Sequence, residues 1–319
     1  MTKNITIGPI LFCWKANDIL DFYYKISDRE EISSVHLGEI ICETRKNFLG
    51  KNLDKILQRL ADSKKEIIFS TPILVNDEES RTLLSETVAQ AGDEFALEIN
   101  DLSALALLTE KPRKNKLIAG PFLNIYSEDT LKFFQEKNFS RVCLPFELPK
   151  KSIFALAEKN LMEIEIMIFG RVPLAISARC FHAKLHNLPR DECKLVCLND
   201  PNGLPLQSLD GQGFLAINGT QTLSHSYNNL IKNIPEMSQR GVKYFRISPH
   251  SSVNFDQLFD AVKNFSAREL ARELAGELAG ELAGELAGNF ASEDVKFSNG
   301  FYFETDGCEF VRMKDEAEL

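Results

Sequence analysis

Cys180, Cys193 and Cys197 fall within eighteen residues in the spacing C-x12-C-x3-C, whereas Cys13, Cys42, Cys143 and Cys308 stand singly. Thiols packed this densely in one connecting segment repel one another when ionised and oxidise readily, so a bound soft metal or iron–sulfur cluster is the natural reason for them. A 4Fe-4S cluster takes four Cys thiolates, so the triplet supplies three and a fourth must come from elsewhere. Zinc is the main rival. Tetrahedral zinc accepts Cys and His, and His182 and His186 lie inside the same segment, although structural zinc more often uses paired short C-x-x-C-type knuckles and this chain has one short pair. The plain alternative is three unrelated thiols in a loop.

The elements that must position these residues are legible in outline. Short β-rich runs at Ser34–Leu37, Ile67–Phe69, Phe95–Ile99, Leu117–Ala119, Val142–Leu144, Glu163–Ile168, Phe214–Ile217 and Tyr244–Ile247 alternate with helical patterns at Asn52–Asp62, Glu78–Ala91, Glu128–Lys137 and Ile153–Asn160. Ser127 can cap the third helix, with Glu128 and Asp129 at the positive end of its dipole. Strands spaced this way imply βα units and a parallel sheet. Eight of them, with neither a dinucleotide fingerprint nor a Walker motif, predict a single-domain α/β fold, a (β/α)8 TIM-like barrel. Cys42 follows the strand-like run Val35–Ile41 and so falls on the C-terminal rim, where barrel enzymes place their chemistry. Cys180 follows the strand at Glu163–Ile168 and reaches the same rim, which makes Cys42 the candidate for the fourth thiolate.

At 319 residues the chain can bury one large core, and 44% hydrophobic and 26% charged residues are ordinary for a globular protein. A net charge of -9 argues against broad nucleic-acid binding, which needs a basic face. The first residues carry no apolar h-region and no run of about eighteen apolar residues occurs. Together with an odd number of cysteines, seven, this predicts a cytoplasmic chain with no membrane span, in a reducing compartment where metal or redox chemistry outweighs disulfides.

One stretch breaks the α/β pattern. Residues 267–288 form a tetrapeptide repeat, Ala-Arg-Glu-Leu twice, then Ala-Gly-Glu-Leu three times and a final Ala-Gly. Its leucines form a slowly wrapping stripe on a helix, its glutamates repel at i, i+4, and each glycine costs about 1 kcal/mol against Ala. The pattern predicts a marginal helix projecting from the body, a low-complexity insertion rather than a working part. The organisation is therefore a barrel over 1–265, the insertion over 267–288, and a C-terminal segment over 289–319 packing on the barrel.

Other residues could do chemistry. Glu39, Glu147 and Glu165 could face the mouth, as could His225 and His250, though carboxylates at strand ends are common ion-pair members. Cys143 reads as a core strand residue. There is no Gly-x-Ser-x-Gly and no His-Glu-x-x-His, so nucleophilic or zinc hydrolysis lacks a motif.

Several stretches together resemble a known family. Ser177-Ala-Arg-Cys-Phe181, then Pro189-Arg-Asp-Glu-Cys193 and Cys197, are similar to the cluster-binding signature of the UbiV branch of the collagenase-like peptidase superfamily, which acts in oxygen-independent ubiquinone biosynthesis. Ile7–Trp14, Leu37–Cys42, Arg141–Leu148, Phe169–Ala175, Asn218–Thr222 and Arg246–Pro249 add to the likeness, which covers nearly the whole chain apart from the tetrapeptide repeat.

The resemblance implies a 4Fe-4S cluster held by Cys42, Cys180, Cys193 and Cys197. It implies a homologous UbiU-like subunit as heterodimer partner, a lipid-binding accessory protein of the pathway, and hydroxylation of the aromatic ring of a ubiquinone precursor without dioxygen, with prephenate as oxygen source. Four Cys ligands leave no open iron, which favours electron transfer or a structural role. Peptidase activity is not expected. Two other readings stay open: a related barrel protein hydroxylating RNA bases, and a zinc-stabilised module without catalysis.

Overall fold

Apolar residues alternate with polar ones along the shorter strand segments, and this alternation builds an unusual barrel. The computed structural model describes residues 4–110, 114–263 and 296–312; the tetrapeptide repeat lies outside them. Strands β1 (Asn4–Ile7), β2 (Ile32–Leu37), β3 (Glu66–Ser70), β4 (Ala96–Ile99), β5 (Leu117–Ala119), β6 (Phe139–Cys143) and β7 (Glu163–Ile176) pair in parallel, each with the next. Three further strands follow, β8 (Leu204–Gln207), β9 (Gly213–Asn218) and β10 (Gln221–Asn229). Then β11 (Val242–Ile247) returns to pair in parallel with both β7 and β1 and closes the circle. The result is the (β/α)8 barrel that the spacing predicts.

Two strands differ from the sequence reading. The first barrel strand is Asn4–Ile7, which at four residues beside a Gly-Pro is too short to show its alternation. The run Phe214–Ile217 is apolar enough for a barrel strand but lies in β9, paired antiparallel with β8 and β10. The cause is β7. Its fourteen residues outrun the barrel: Ile164–Phe169 pair with β11, and from Phe169 to Ile176 the strand pairs antiparallel with β10. Gly170 sits at the change with φ +134, where a Cβ would lie 2.5 Å from that of Ser248. The antiparallel extension β7–β10–β9–β8 therefore grows out of the barrel rim, and β12 (Phe297–Ser298) adds a short parallel pair to β10.

Helices between the strands cover the outside. The helix Leu53–Asp62 buries Leu53, Ile56 and Leu60, spaced three and four apart, so one stripe faces the sheet. Glu78–Ala91 begins at Asp77, whose carboxylate takes the Ser80 N–H while the Ser80 hydroxyl takes the Asp77 N–H. The outward strand residues Ile7, Val35, Leu37, Phe69, Leu97, Ile99 and Val142 are fully buried beneath this layer, each contributing about 1.5–3 kcal/mol of transfer free energy. Near the C-terminus, Tyr302 packs edge-on to Phe154, accepts the Lys150 N–H at its carbonyl and donates its hydroxyl to Glu236. No helix among the described residues is long and apolar enough to cross a membrane.

The barrel interior is largely polar. Arg246 of β11 bonds Glu98 of β4 and, at 2.6 Å, Glu165 of β7. Because β4 and β11 are not neighbours, the first of these bonds must cross the lumen. His36 of β2 accepts from Arg246 at Nε2 (3.3 Å), which leaves the proton on Nδ1, 3.0 Å from the Ser70 hydroxyl; that hydroxyl donates to Glu98 at 2.9 Å. Arg141 lies over the Tyr244 ring, 3.4 Å from its centroid, and pairs with Glu66 at 2.9 Å. A small apolar group, Ile68, Ala96 and Ile118, is packed separately from the main core.

Candidate metal centre

The triplet segment is held in place before any ligand is considered. Residue Ser177 donates its N–H to the Thr220 carbonyl and Phe181 donates its own to Gly219, so the segment starts anchored on the β9–β10 turn. Cys180 caps the short helix Phe181–Leu185, with its sulfur 3.5 Å from the Ala183 N–H. Farther on, Arg190 clamps both carboxylate oxygens of Glu43 at 2.9–3.0 Å and reaches Asp77 at 3.2 Å. That clamp ties the segment to the loops after β2 and β3. Between Cys193 and Cys197 the backbone is left-handed at Lys194 (φ +50) and Leu195 (φ +54), a conformation rare for side-chain-bearing residues and strained for leucine. The turn puts Val196 N–H on the Cys193 carbonyl and keeps both cysteines buried. Trp14 Nε1 donates to the Pro201 carbonyl at 3.0 Å and fastens the far end to the loop after β1.

Cys42 is presented from the other side. Glu39, half-buried, takes the N–H groups of Ile41 and Cys42 on one oxygen at 2.9 and 3.0 Å and so shapes the turn that carries the thiol. Burial pushes the Glu39 carboxyl up to about 7, against the opposing pull of Arg45 and the two amides. Burial likewise pushes the Cys42 thiol up to about 11, again opposed by Arg45.

Arg45 joins the two halves. It is buried, donates to the Leu11 carbonyl at 3.2 Å and to Asn218 at 3.1 Å, and its charge reaches Glu39 first and then the sulfurs of Cys197, Cys13 and Cys42. Gly219, at φ +63, leaves room for it, since a Cβ there would stand 2.7 Å from the guanidinium. The neighbouring Cys13 thiol and then Arg45 hold the Cys197 thiol below its ordinary range, while the Cys13 thiol is raised. His182 is engaged at both ring nitrogens, by the Gly219 N–H at 3.0 Å and by Asp200 at 3.1 Å; burial first of all lowers its pKa. His186 is exposed.

The rim thus brings Cys42 and Cys197 to one guanidinium, while Cys180 sits at the start of the short helix and Cys193 is buried before the left-handed turn. It also brings in Cys13, which sequence reasoning set aside as isolated; its signal was a position after β1 on the same rim as Cys42. Cys143 is fully buried in β6 and Cys308 is exposed. Glu165 belongs to the interior ion pairs, and Glu147 to a hydrogen bond with Tyr126. His225 lies within the antiparallel β10 rather than after a barrel strand, and His250 is fully buried with Nε2 accepting the Arg171 N–H at 3.1 Å. Among the described residues no three His, Cys, Asp or Glu side chains converge on the position of a single metal ion. A cubane does not require that, because each thiolate binds its own iron. The donor set fits such a cluster in kind: four thiols on two tethered loops, a neighbouring cation, and Arg45 Nε buried without a hydrogen-bond partner.

Beside these loops lies a groove of about 320 Å³ at the mouth of the barrel. Ile73, Phe122, Phe146, Pro173, Leu174 and Ile176 line it, with Asn124 and Glu147 as its polar groups. Ile73 donates its N–H to the Ile40 carbonyl, two residues before Cys42, and Ile176 lies four residues before Cys180.

A (β/α)8 barrel with its sulfur-rich loops on the C-terminal face defines the class of protein. A family model described as Peptidase family U32 matches residues 29–311, and the chain belongs to that family. The matched span includes Cys42 and the whole triplet and leaves out Cys13.

Proposed function

We propose that this chain is the iron–sulfur subunit of an oxygen-independent hydroxylase in ubiquinone biosynthesis, a UbiV-like protein working with a homologous UbiU-like subunit. Cys42, Cys180, Cys193 and Cys197 would hold a 4Fe-4S cluster. The observation that supports the reading is that Cys42 and Cys197, from two distant loops, both face the buried Arg45. Such a cluster supplies one-electron chemistry or loop cross-linking at a fully thiolate-ligated centre. The chain's own contribution is to fix the two loops through Glu39 and Arg190 and to keep Cys193 and Cys197 from water.

The groove beside the loops supports an apolar aromatic substrate, because its walls are Ile, Leu, Phe and Pro with two polar groups to orient a ring. Replacing a ring C–H by C–OH without dioxygen is a two-electron oxidation, and a hydroxylated co-substrate such as prephenate would provide the oxygen atom and accept the two electrons, its C–OH becoming C–H. Hydrolysis of peptides is not what the residues favour, since the histidine beside Cys197 has both nitrogens occupied.

Anaerobic reconstitution of the full chain followed by iron and acid-labile sulfide analysis tests the cluster. The expected result is about four of each per chain, lost in Cys193→Ser. A colourless chain without iron, or zinc in its place, overturns the reading. Unchanged quinone levels in an anaerobically grown deletion strain would overturn the pathway assignment while leaving the cluster standing.

A further inference from the structure

We infer that Arg45 is the charge-compensating residue of the cluster site, a positioning residue that favours the reduced cluster and so sets its reduction potential; this rests on the cluster reading above. Arg45 is 2% exposed. Two of its nitrogens donate to neutral acceptors, the Leu11 carbonyl and the Asn218 side chain, and Nε is buried with no hydrogen-bond partner. Every other fully buried arginine here, Arg141 and Arg246, stands within 4.0 Å of a carboxylate, whereas among the described residues Arg45 forms no such ion pair. Glu39 is the acid that its charge reaches most strongly, yet among the described residues no Glu39 oxygen lies within 4.0 Å of the guanidinium, and one of its oxygens takes the Ile41 and Cys42 amides.

A guanidinium withdrawn from water without a counter-ion is costly and persists where an anion completes it. A cavity of about 20 Å³ borders Arg45, Cys13 and Glu39. A water there could meet the free Nε but not the charge. The remaining groups that the charge reaches are the sulfurs of Cys197, Cys13 and Cys42. A cubane held by four thiolates is anionic and takes on one further negative charge when reduced by one electron. A fixed cation beside it in a low-dielectric site therefore stabilises the reduced form more than the oxidised one. The side chain is fixed for this purpose: Asn218 also donates to the Leu11 carbonyl and to Gln221, and Gly219 leaves the guanidinium no steric conflict.

The test is an EPR-monitored potentiometric titration of the reconstituted wild type, Arg45→Met and Arg45→Lys, with iron and sulfide counted in each. Arg45→Met should lower the reduction equilibrium at least tenfold, a negative shift of 59 mV for one electron. Arg45→Lys, which keeps the charge, should recover most of it. Should Arg45→Met hold no cluster while Arg45→Lys holds one, the requirement for charge is equally supported. The inference falls if Arg45→Met keeps its cluster at the wild-type potential, or if Arg45→Lys loses it as fully as Arg45→Met, since the fork's hydrogen bonds would then be the whole role. A wild-type chain without iron and sulfide removes the cluster reading itself, a result distinct from either.

Discussion

Arg246 in the lumen and Arg45 on the rim are both buried, yet they are finished differently. Arg246 has Glu98 and Glu165 against it and His36 beside it, with a serine completing the chain to Glu98. Arg45 has a carbonyl, an amide and thiols. The lumen is a closed electrostatic unit that positions the strands. On the rim the charge of Arg45 is met by Glu39 and by the sulfurs of Cys197, Cys13 and Cys42, with no carboxylate within 4.0 Å among the described residues. Among the described residues Arg141 and Arg246 are buried against carboxylates, whereas Arg45 is buried facing thiols.

The largest effect should come from breaking the complete unit. Arg246→Met strips Glu98 and Glu165 of the cation in direct contact with both, leaving Glu165 with Arg141 at 3.8 Å and Glu98 with His36 and neutral donors, and should destabilise the chain by about 3–5 kcal/mol, read as a fall in the denaturant midpoint. Arg45→Met in the metal-free chain removes hydrogen bonds to neutral groups and a buried charge that no carboxylate among the described residues contacts within 4.0 Å, so its cost should be under about 2 kcal/mol. Equal losses in the two variants would erase the distinction between lumen and rim.

Acid should act on the same unit. Burial alone would raise Glu98, but Arg246 first and then His36 hold it well below the ordinary carboxylate value of 4.5. The unfolded chain therefore takes up a proton at Glu98 where the folded one does not. Stability from this group is complete above pH 4.5 and is lost as pH falls from there toward the folded value. His250 adds to the slope at higher pH. Burial and Arg171 keep it neutral well below 6.5, so the unfolded state gains a proton as pH drops under 6.5. Denaturation midpoints measured from pH 7 to 3 should fall in two stages, the upper one shallow because Glu39, raised to about 7, takes up its proton in the folded chain first and so adds stability over the same range. In Glu98→Gln the lower stage should flatten while the upper remains; a lower stage of unchanged steepness would show that Glu98 is not its source.

Much of this architecture is legible in the chain, and the gaps have physical causes. The helix at 53–62 announces itself through three-four spacing, and those at 78–91 and 128–136 through their caps at Asp77 and Ser127. The polar lumen does not, because Thr6, His36, Glu98 and Arg246 alternate with apolar residues as they would in any half-exposed strand. Phe214–Ile217 shows an apolar run without its partner, and only pairing tells a barrel strand from an antiparallel one. On the rim, the C-x12-C-x3-C spacing exposes three thiols, and the position of Cys42 after β2 points to a fourth. Cys13 and Arg45 escape notice because neither lies in a motif. Their meeting with Cys197 is made by loops after β1 and β2 folding over a segment that begins some 130 residues later.

The smallest expected effect concerns the strap between those loops. Arg190 pairs with Glu43 and Asp77 while 29% exposed. Partly solvated pairs of this kind are worth about 1 kcal/mol or less, so Arg190→Ala should barely move the midpoint of the metal-free chain. Yet Arg190 lies three residues before Cys193, and Glu43 directly follows Cys42. Losing the clamp frees the two thiol-bearing loops to separate, and the ordering cost returns when a ligand must bridge them. Iron should therefore leave the reconstituted Arg190→Ala chain several-fold faster under a chelator than it leaves the wild type, with near-equal folding stability. If the two release iron at the same rate, the clamp belongs to the scaffold, like the lumen pairs, and the rim is organised by Arg45 and Glu39 alone.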